Sequence, residues 1–438
     1  MDNSLLIIVF GIFLGLLALG VPLVASLLIS SVSVYFLVPG VFPANPNFIF
    51  RTMVTVLDST PILAIPLFIF SGNIMAKGGI SGKLFDLFAY GLGNKTGGMP
   101  AAVIITTFFY GSFVGSAPAT VAAVGVMTIP LLVSLGYDKT FVVSLVTVAS
   151  SFAIILPPSV PLVVYGITAG ASIGDLFIAG IVPAIITAVV MIIYVVLYFK
   201  IKGGEDKEKL RENYEKLHAK GFARVFKDSI FALLAPVIIL GGIYGGIVTP
   251  TEAANISVVY ALVVSVFLYR TLRLKEIPAL MVYTGRTIAT ILVIISAATV
   301  FGRVLTLMQA PQQISAALMD VAAGNNLFLI FVILAFLIVF GLFMEPLAVI
   351  LIATPIFLPM IQAMGMNLVH FGIVVIFASA IGFITPPVGM SLFVATSISG
   401  LPLLKIARQT FPLLVILFVI MLFIVFIPEL SLAIVPSR

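Results

Sequence analysis

Apolar segments recur along the whole chain, and all but the short first two have 18 or more residues. They lie at about 5–19, 22–37, 52–75, 99–134, 138–170 and 177–199, and then at about 229–248, 252–269, 283–308, 327–363, 369–399 and 410–428. A run of 18 or more apolar residues predicts a transmembrane helix, and helices satisfy their backbone groups without water. The pattern predicts an all-α polytopic membrane protein.

The glycine and proline pattern of the first half returns in the second half at a constant offset of 229 residues. Pro130 matches Pro359, the pair Pro157-Pro158 matches Pro386-Pro387, and Pro183 matches Pro412. Internal repeats of this kind are typical of secondary transporters. We therefore expect a first repeat at 1–199, a hydrophilic linker at 200–228 and a second repeat at 229–438.

Two segments of each repeat are predicted to depart from a plain span. The segments 99–134 and 327–363 each have a polar, Pro-containing break near the middle and predict re-entrant helical hairpins. The segments 138–170 and 369–399 contain the Pro-Pro pairs and predict broken helices. Each repeat then has about five crossings and one hairpin.

Two repeats with an odd number of crossings must lie in opposite orientations, which predicts inverted topology. Placing the linker in the cytoplasm puts nearly all loop lysines and arginines inside and leaves only Arg51 and Arg438 outside, as the positive-inside rule requires. Both termini are then predicted to lie outside, which means periplasmic for a bacterial inner membrane.

Composition supports a protein of the lipid bilayer and excludes several functions. Hydrophobic residues make up 62% of the chain and charged residues 9%, against about 25% charged in soluble domains. The chain has no cysteine, so disulfides and thiolate chemistry are excluded. The net charge of +6 lies in short loops, so no nucleic-acid partner is indicated. An enzyme would need a pair of reactive side chains, and the sequence shows no such pair.

The breaks are the candidate binding sites, because carbonyl ends and hydroxyls suit Na⁺ and half-helix N-termini suit an anion. We expect a Na⁺ site in each repeat, with the candidate residues Ser112, Gly115, Ser116 and Pro157 in the first and Glu345, Gly382, Thr385 and Pro387 in the second. The alternative for each hydroxyl is a bond to its own helix, and for Glu345 a carboxylate that stabilises a helix N-terminus.

The substrate is expected between the two hairpin tips, near Thr120, Ser159 and Ser391. Arg303 is a fourth candidate, since a guanidinium binds a carboxylate with two hydrogen bonds. The alternative is that Arg303 extends to the membrane interface.

Several motifs resemble the large membrane subunit of tripartite ATP-independent periplasmic (TRAP) transporters, and the resemblance covers essentially the whole chain. The motifs are GSAPATVAAVG at 115–125, Leu156-Pro157-Pro158-Ser159 with Tyr165-Gly166, and GGIYGG at 241–246 followed by TPTEAA at 249–254. Thr120 stands where sialic-acid members tend to have aspartate, so the chain looks more like the dicarboxylate-type branch.

The resemblance implies Na⁺-coupled uptake of a small organic acid, such as a C4-dicarboxylate, by an elevator-like motion. It also implies two partners: a small membrane subunit of about four helices and a periplasmic substrate-binding protein. Two alternatives remain open, namely a Na⁺/organic-anion symporter that needs no binding protein and a subunit for a sugar acid such as sialic acid.

Overall fold

A computed structural model describes residues 3–37, 47–322 and 325–436 of the chain. Arg438, one of the two predicted outside charges, lies outside these residues. The first half contains ten α-helices: α1 Asn3–Ala18, α2 Leu23–Leu37, α3 Asn47–Leu57, α4 Ala64–Lys77, α5 Ile80–Leu92, α6 Gly98–Val114, α7 Ala117–Ser134, α8 Lys139–Ala153, α9 Val160–Ala169 and α10 Ile173–Lys202.

The linker and the second half follow in the same order. They contain α11 Lys207–His218, α12 Phe222–Tyr244, α13 Pro250–Leu262, α14 Ile277–Leu307, α15 Ala310–Ala322, α16 Asn326–Phe343, α17 Pro346–Ala363, α18 Leu368–Ile384, α19 Met390–Ser399, α20 Leu403–Phe426 and the short α21 Glu429–Leu432. A π-helical turn at Val263–Leu268 extends α13. The fold is all-helical throughout the part of the chain that the structure describes.

The two halves exchange equivalent contacts. Helix α4 of the first half packs on α13 of the second, and α2 packs on α14. Likewise α7 packs on α19 while α9 packs on α17. Each of these contacts has its partner in the other half, which is the pattern that a two-fold relation between two repeats produces.

Helices α6–α7 and α16–α17 form the two hairpins, and α8–α9 and α18–α19 form the two broken helices. The hairpins turn at Gly115-Ser116, named tip 1 here, and at Met344-Glu345, named tip 2. The broken helices are interrupted at 154–159, named break 1, and at 385–389, named break 2. Both Pro-Pro bonds in the breaks are cis.

Two predicted spans have different bounds in the structure. The single span expected at 52–75 is two helices, α3 and α4, separated by a 3₁₀ turn at Thr60–Leu63. The reason is Pro61, which has no N–H to donate and whose ring clashes with the carbonyl four residues earlier in a continuous helix. The span expected at 229–248 begins at Phe222 and ends at Tyr244, because the amphipathic residues before Asp228 continue the helix.

Within the described ranges, nine helical segments are long and apolar enough to cross a membrane. Three of them are hairpin arms: α7, α16 and α17 each have 18 residues, about 27 Å of helix. Arm length therefore does not distinguish a hairpin from two spans. Both tips line one cavity, as expected for two hairpins whose turns lie inside the protein.

The linker helix α11 is docked on the first half. A Glu205 carboxylate oxygen accepts hydrogen bonds from the Gly97 N–H at 2.9 Å and from the Tyr137 hydroxyl at 2.7 Å. At the other end, Lys220 lies 2.9 Å from Asp86 of α5. Burial, followed by the bond to Glu205, raises the pKa of Tyr137, so its phenol remains a donor at neutral pH.

Candidate functional site

Both hairpin tips line one cavity of about 330 Å³, which we call the tip cavity. Its walls combine tip 1, tip 2, break 1 and the helices α4 and α14. Its polar lining residues are Asn73, Ser116, Tyr283, Thr287, Thr290 and Glu345. The sequence predicted that the substrate binds between the two tips, and in the structure both tips line the same cavity.

Tip 1 lies directly against break 1. Gly115 has φ +63, a left-handed conformation that favours glycine. A Cβ on Gly115 would lie 3.2 Å from the Val160 backbone nitrogen and closer still to its side chain. Glycine is therefore required at position 115 for two reasons: the left-handed turn and the close approach of the tip to the start of α9.

Ser116 presents oxygen atoms to the cavity. It is the N-cap residue of α7, but its side chain accepts no capping hydrogen bond. Its carbonyl accepts the Thr120 hydroxyl at 2.9 Å. Because the side chain of Ser116 is not committed to a cap, its hydroxyl is available as a ligand for a hard cation.

Glu345 is the carboxylate of the tip cavity. It precedes α17 as its N-cap residue and its side chain makes no capping bond, so the stabilisation that Glu345 gives to the N-terminus of α17 is electrostatic. Glu345 is exposed to the cavity. In the residues that the structure describes, it has no ion-pair partner. An unpaired carboxylate in a mostly apolar cavity favours a cation as its partner.

Three predicted substrate residues do not line the tip cavity. Thr120, Ser159 and Ser391 are fully buried. Thr120 donates to Ser116, Ser159 donates to the Ile154 carbonyl within break 1, and the Ser391 hydroxyl lies 3.1 Å from that of Ser151. Thr120 and Ser159 therefore bond within their own tip and break, whereas the contact of Ser391 with Ser151 joins the two broken helices.

Two further candidates of the first Na⁺ site lie close to tip 1. Ser112 donates to the Phe109 carbonyl at 2.8 Å, and Pro157 is buried in break 1. The nearby Ser150 hydroxyl is buried and lacks a hydrogen-bond partner among the described residues. Ser150 lies one turn before break 1 and, unlike Ser116, does not line the tip cavity.

Break 2 differs from break 1 in its exposure. Pro387 is exposed and Thr385 partly exposed, whereas Pro157 and Ser159 are buried. The Thr385 hydroxyl donates to the Ile381 carbonyl at 2.6 Å. Of the residues around break 2, Phe383 lines the tip cavity, whereas Thr385 and Pro387 do not.

Gly382 has a packing role. A Cβ there would lie 2.4 Å from the Ile338 carbonyl oxygen and 2.7 Å from the Cα of Gly341. These distances are too short for a side chain, so glycine allows α16 and α18 to come together at this level.

The residues that α4 and α14 contribute to the tip cavity were not predicted from the sequence. Asn73 of α4 donates to the Thr284 hydroxyl of α14 at 3.0 Å, and Tyr283, Thr287 and Thr290 follow one face of α14 into the cavity. The available signal was Asn73, the one amide in the apolar segment 64–77.

Arg303 lines a different cavity. This second cavity, of about 310 Å³, is lined by parts of α3, α4, α9, α14 and α17. Its polar lining residues are Thr168, Thr299, Arg303 and Thr306. The structure therefore separates Arg303 from the tips, although all four predicted substrate residues were expected together.

Comparison with known proteins identifies the family. The model of the DctM component of tripartite ATP-independent periplasmic transporters matches residues 10–430. The chain belongs to this family of TRAP large permeases. It is a transporter permease and not an enzyme, and the family and the apolar helices together make it a multi-pass inner-membrane protein.

Two relatives of known designation support this assignment. The isethionate TRAP transporter permease protein DctMQ of Oleidesulfovibrio alaskensis is 37% identical over 96% of this chain. The chain spans 65% of that relative's length. The C4-dicarboxylate TRAP transporter large permease protein DctM of Pseudomonas aeruginosa is 38% identical over 85% of each chain.

A solved structure shows the same fold. The crystal structure of the Alcanivorax borkumensis YdaH transporter, described as having an unusual topology, matches with a TM-score of 0.62. The match covers 93% of this chain and 98% of that one at 15% identity. At this identity the likeness concerns architecture alone.

Proposed function

We propose that this TRAP large permease carries out Na⁺-coupled uptake of a small organic acid across the bacterial inner membrane. The observation that carries the proposal is the convergence of both hairpin tips on one cavity lined by the carboxylate of Glu345, which has no ion-pair partner among the described residues. Unwound helix ends at corresponding positions of two repeats are where secondary transporters bind substrate and coupling ion.

The oxygen-rich environment of the tips supports Na⁺ as the coupling ion. Tip 1 contributes the Ser116 hydroxyl and tip 2 the Glu345 carboxylate to the tip cavity. The Ser150 hydroxyl, one turn before break 1, has no hydrogen-bond partner among the described residues. Hard cations prefer such ligands. No cluster of three or more His, Asp or Glu side chains was found among the described residues, which fits a site of carbonyls and hydroxyls better than a transition-metal site.

The relatives and the charge of the lining support the proposed substrate class. The named substrates of the two relatives, isethionate and C4-dicarboxylates, are both small organic anions. Arg303 supplies a cation to a cavity between the two halves. We take a C4-dicarboxylate-like acid as the first candidate.

Two partner proteins complete the proposal. A periplasmic binding protein delivers the acid, and a small membrane subunit of about four helices stands beside the permease. Family membership supports both partners.

The contact pattern supports an elevator-like motion. Helices α4 and α14 form a cross-half scaffold through the Asn73–Thr284 hydrogen bond and through contacts of α4 with α13 and of α14 with α2. The tips and breaks move as one body against this scaffold, because separating them in lipid would leave backbone groups unpaired.

Uptake in proteoliposomes tests the proposal. The permease is reconstituted with its small subunit, and uptake of labelled succinate and isethionate is measured with and without a Na⁺ gradient and the binding protein. We expect uptake only when both are present. Na⁺-driven uptake without the binding protein would establish the self-sufficient symporter instead, and uptake independent of Na⁺ would contradict the coupling.

A further inference from the structure

Helix α14 carries the same polar spacing twice. Tyr283, Thr287 and Thr290 line the tip cavity, and Thr299, Arg303 and Thr306 line the second cavity. The second triplet repeats the first after 16 residues, with steps of four and three. Such steps keep residues on one helix face, so each cavity receives its own polar group from this helix.

The two cavities carry opposite charge. Glu345 is the charged residue lining the tip cavity, and Arg303 is the charged residue lining the second one. Throughout residues 3–37, 47–322 and 325–436, neither side chain has an ion-pair partner. The described residues therefore supply no counter-ion to either charge.

Arg303 is the donor that a bound anion would meet in the second cavity. The hydroxyls of Thr168, Thr299 and Thr306 each donate to a carbonyl of their own helix at 2.8 Å. Arg303 is exposed and presents a planar fork of N–H groups that matches a carboxylate or sulfonate. The remaining walls are largely apolar, as in sites for small organic ligands.

We propose that the second cavity is an anion-receiving site, in which Arg303 binds the acidic group of the organic substrate before the tips take it. The proposal rests on the proposed transport function and adds a residue and a place to it. Arg303 lies near the end of α14 that the charge distribution places outside, whereas Tyr283 lies near the end placed in the cytoplasm. The scaffold thus holds the anion on the outer side, and the cation is held at the tips.

Cysteine chemistry measures the charge of each cavity without any transport assay, because the chain has no cysteine. Thr306→Cys places a thiol one turn from Arg303, and the rates of its modification by anionic MTSES and cationic MTSET are compared in purified permease. A nearby positive charge attracts the anionic reagent. We expect Arg303→Gln to lower the MTSES-to-MTSET rate ratio about tenfold and Arg303→Lys to preserve most of it.

The tip cavity provides the matched control. In a Thr290→Cys variant, Arg303→Gln should leave the rate ratio unchanged, whereas Glu345→Gln should raise it. A ratio at position 306 that does not depend on Arg303, or a thiol there that neither reagent reaches, would overturn the proposal.

Two competitors separate a substrate from a lipid headgroup as the natural anion. Succinate at millimolar concentration should slow MTSES at position 306 only when Arg303 is present. Nanodiscs with and without phosphatidylglycerol give the second comparison. Protection by the anionic lipid and not by succinate would show that Arg303 extends to the headgroups, and the receiving site would be wrong.

Uptake distinguishes failure of this proposal from failure of the transport function. Arg303→Gln should raise the KM for succinate about tenfold with little change in maximal rate, as expected when a binding interaction is lost. If the unaltered transporter takes up neither succinate nor isethionate while the charge effect persists, the substrate class is wrong and the anion site stands. If uptake occurs and its KM does not depend on Arg303, the receiving role is wrong.

Discussion

The Ser151 hydroxyl lies 3.1 Å from the Ser391 hydroxyl, although 240 residues separate them in the chain. Ser151 lies near the C-terminal end of α8, the first part of one broken helix. Ser391 lies near the N-terminal end of α19, the second part of the other. Ser151 also lies 3.0 Å from the Thr147 carbonyl, to which it donates, so Ser391 is the donor between the two hydroxyls. This bond joins the two broken helices, one from each repeat.

Loss of this bond should affect stability before it affects substrate affinity. Ser151→Ala and Ser391→Ala are each expected to cost about 1 kcal/mol, because a buried hydrogen bond is lost and a polar group remains. The double variant should cost less than the sum. Thermal unfolding of the purified permease measures the three variants. If Ser391→Ala instead leaves stability unchanged and raises the KM for the transported acid, Ser391 contacts the substrate.

The tips and breaks were predictable from sequence because proline acts locally. The tips and breaks contain or adjoin Pro118, Pro157-Pro158, Pro346 and Pro386-Pro387, which occur in pairs or near polar residues, whereas the isolated Pro130, Pro183 and Pro412 lie inside continuous helices. The direction of each hydroxyl was not predictable. Serine and threonine in a helix can bond to the preceding turn or point to a neighbour, and this choice depends on packing between distant segments.

Residues of α4 and α14 were missed for a related reason. Asn73 and Tyr283 reach the tip cavity only because helices of one half pack against helices of the other. A repeat seen in sequence shows that two halves are alike, but it does not show which helix of one half packs on the other. Arg303 was placed with the tips for the same reason and lies in the second cavity instead.

The predicted Na⁺ sites can be tested by the Na⁺ concentration that gives half-maximal uptake. Ser116→Ala and Glu345→Gln each remove an oxygen ligand or a charge from the tip cavity, so each should raise that concentration, by about tenfold for Glu345→Gln. Ser134→Ala, at the far end of α7, is the matched control and should have no effect. Unchanged Na⁺ dependence in Ser116→Ala, Glu345→Gln and Thr385→Ala together would exclude these sites.

The inverted topology predicts which positions can be labelled from outside. Asn47, Lys207 and Asn326 are the first residues of three helices, and all three are exposed. Each is replaced singly by cysteine. An impermeant maleimide applied to spheroplasts should label positions 47 and 326 but not 207. Asn325 is avoided because it caps α16. Labelling of position 207 in intact spheroplasts would reverse the predicted orientation.

The docked linker gives a prediction about local unfolding. Glu205→Gln weakens the acceptor for Gly97 and Tyr137, and Tyr137→Phe removes one of these bonds. Bonds to a charged group are worth about 1.5–3 kcal/mol, so cleavage by trypsin within 200–211 should accelerate about tenfold or more.

The control for the linker is Glu212→Gln, whose carboxylate lies 3.9 Å from Lys216 in an exposed pair that contributes little. Equal cleavage of the Glu205 and Glu212 variants would show that the linker is not held by Glu205.

The raised pKa of Tyr137 means that its hydrogen bond to Glu205 is present below the ordinary tyrosine pKa of about 10 and is lost only at higher pH.

A bulky residue in the tip cavity should block transport, and the structure selects the position for it. Thr120 is unsuitable, because it is buried against Gly111 and a tryptophan there would disrupt the α6–α7 hairpin. Ala119 is exposed and lines the tip cavity, so Ala119→Trp should fill the cavity while the hairpin remains folded.

Val126→Trp is the matched control, since Val126 lies two turns further along the same face of α7 and is 64% exposed. We expect Ala119→Trp to reduce uptake at least about tenfold with unchanged assembly with the small subunit, and Val126→Trp to transport normally. Normal uptake by a folded Ala119→Trp permease would place the transport path away from the hairpin tips.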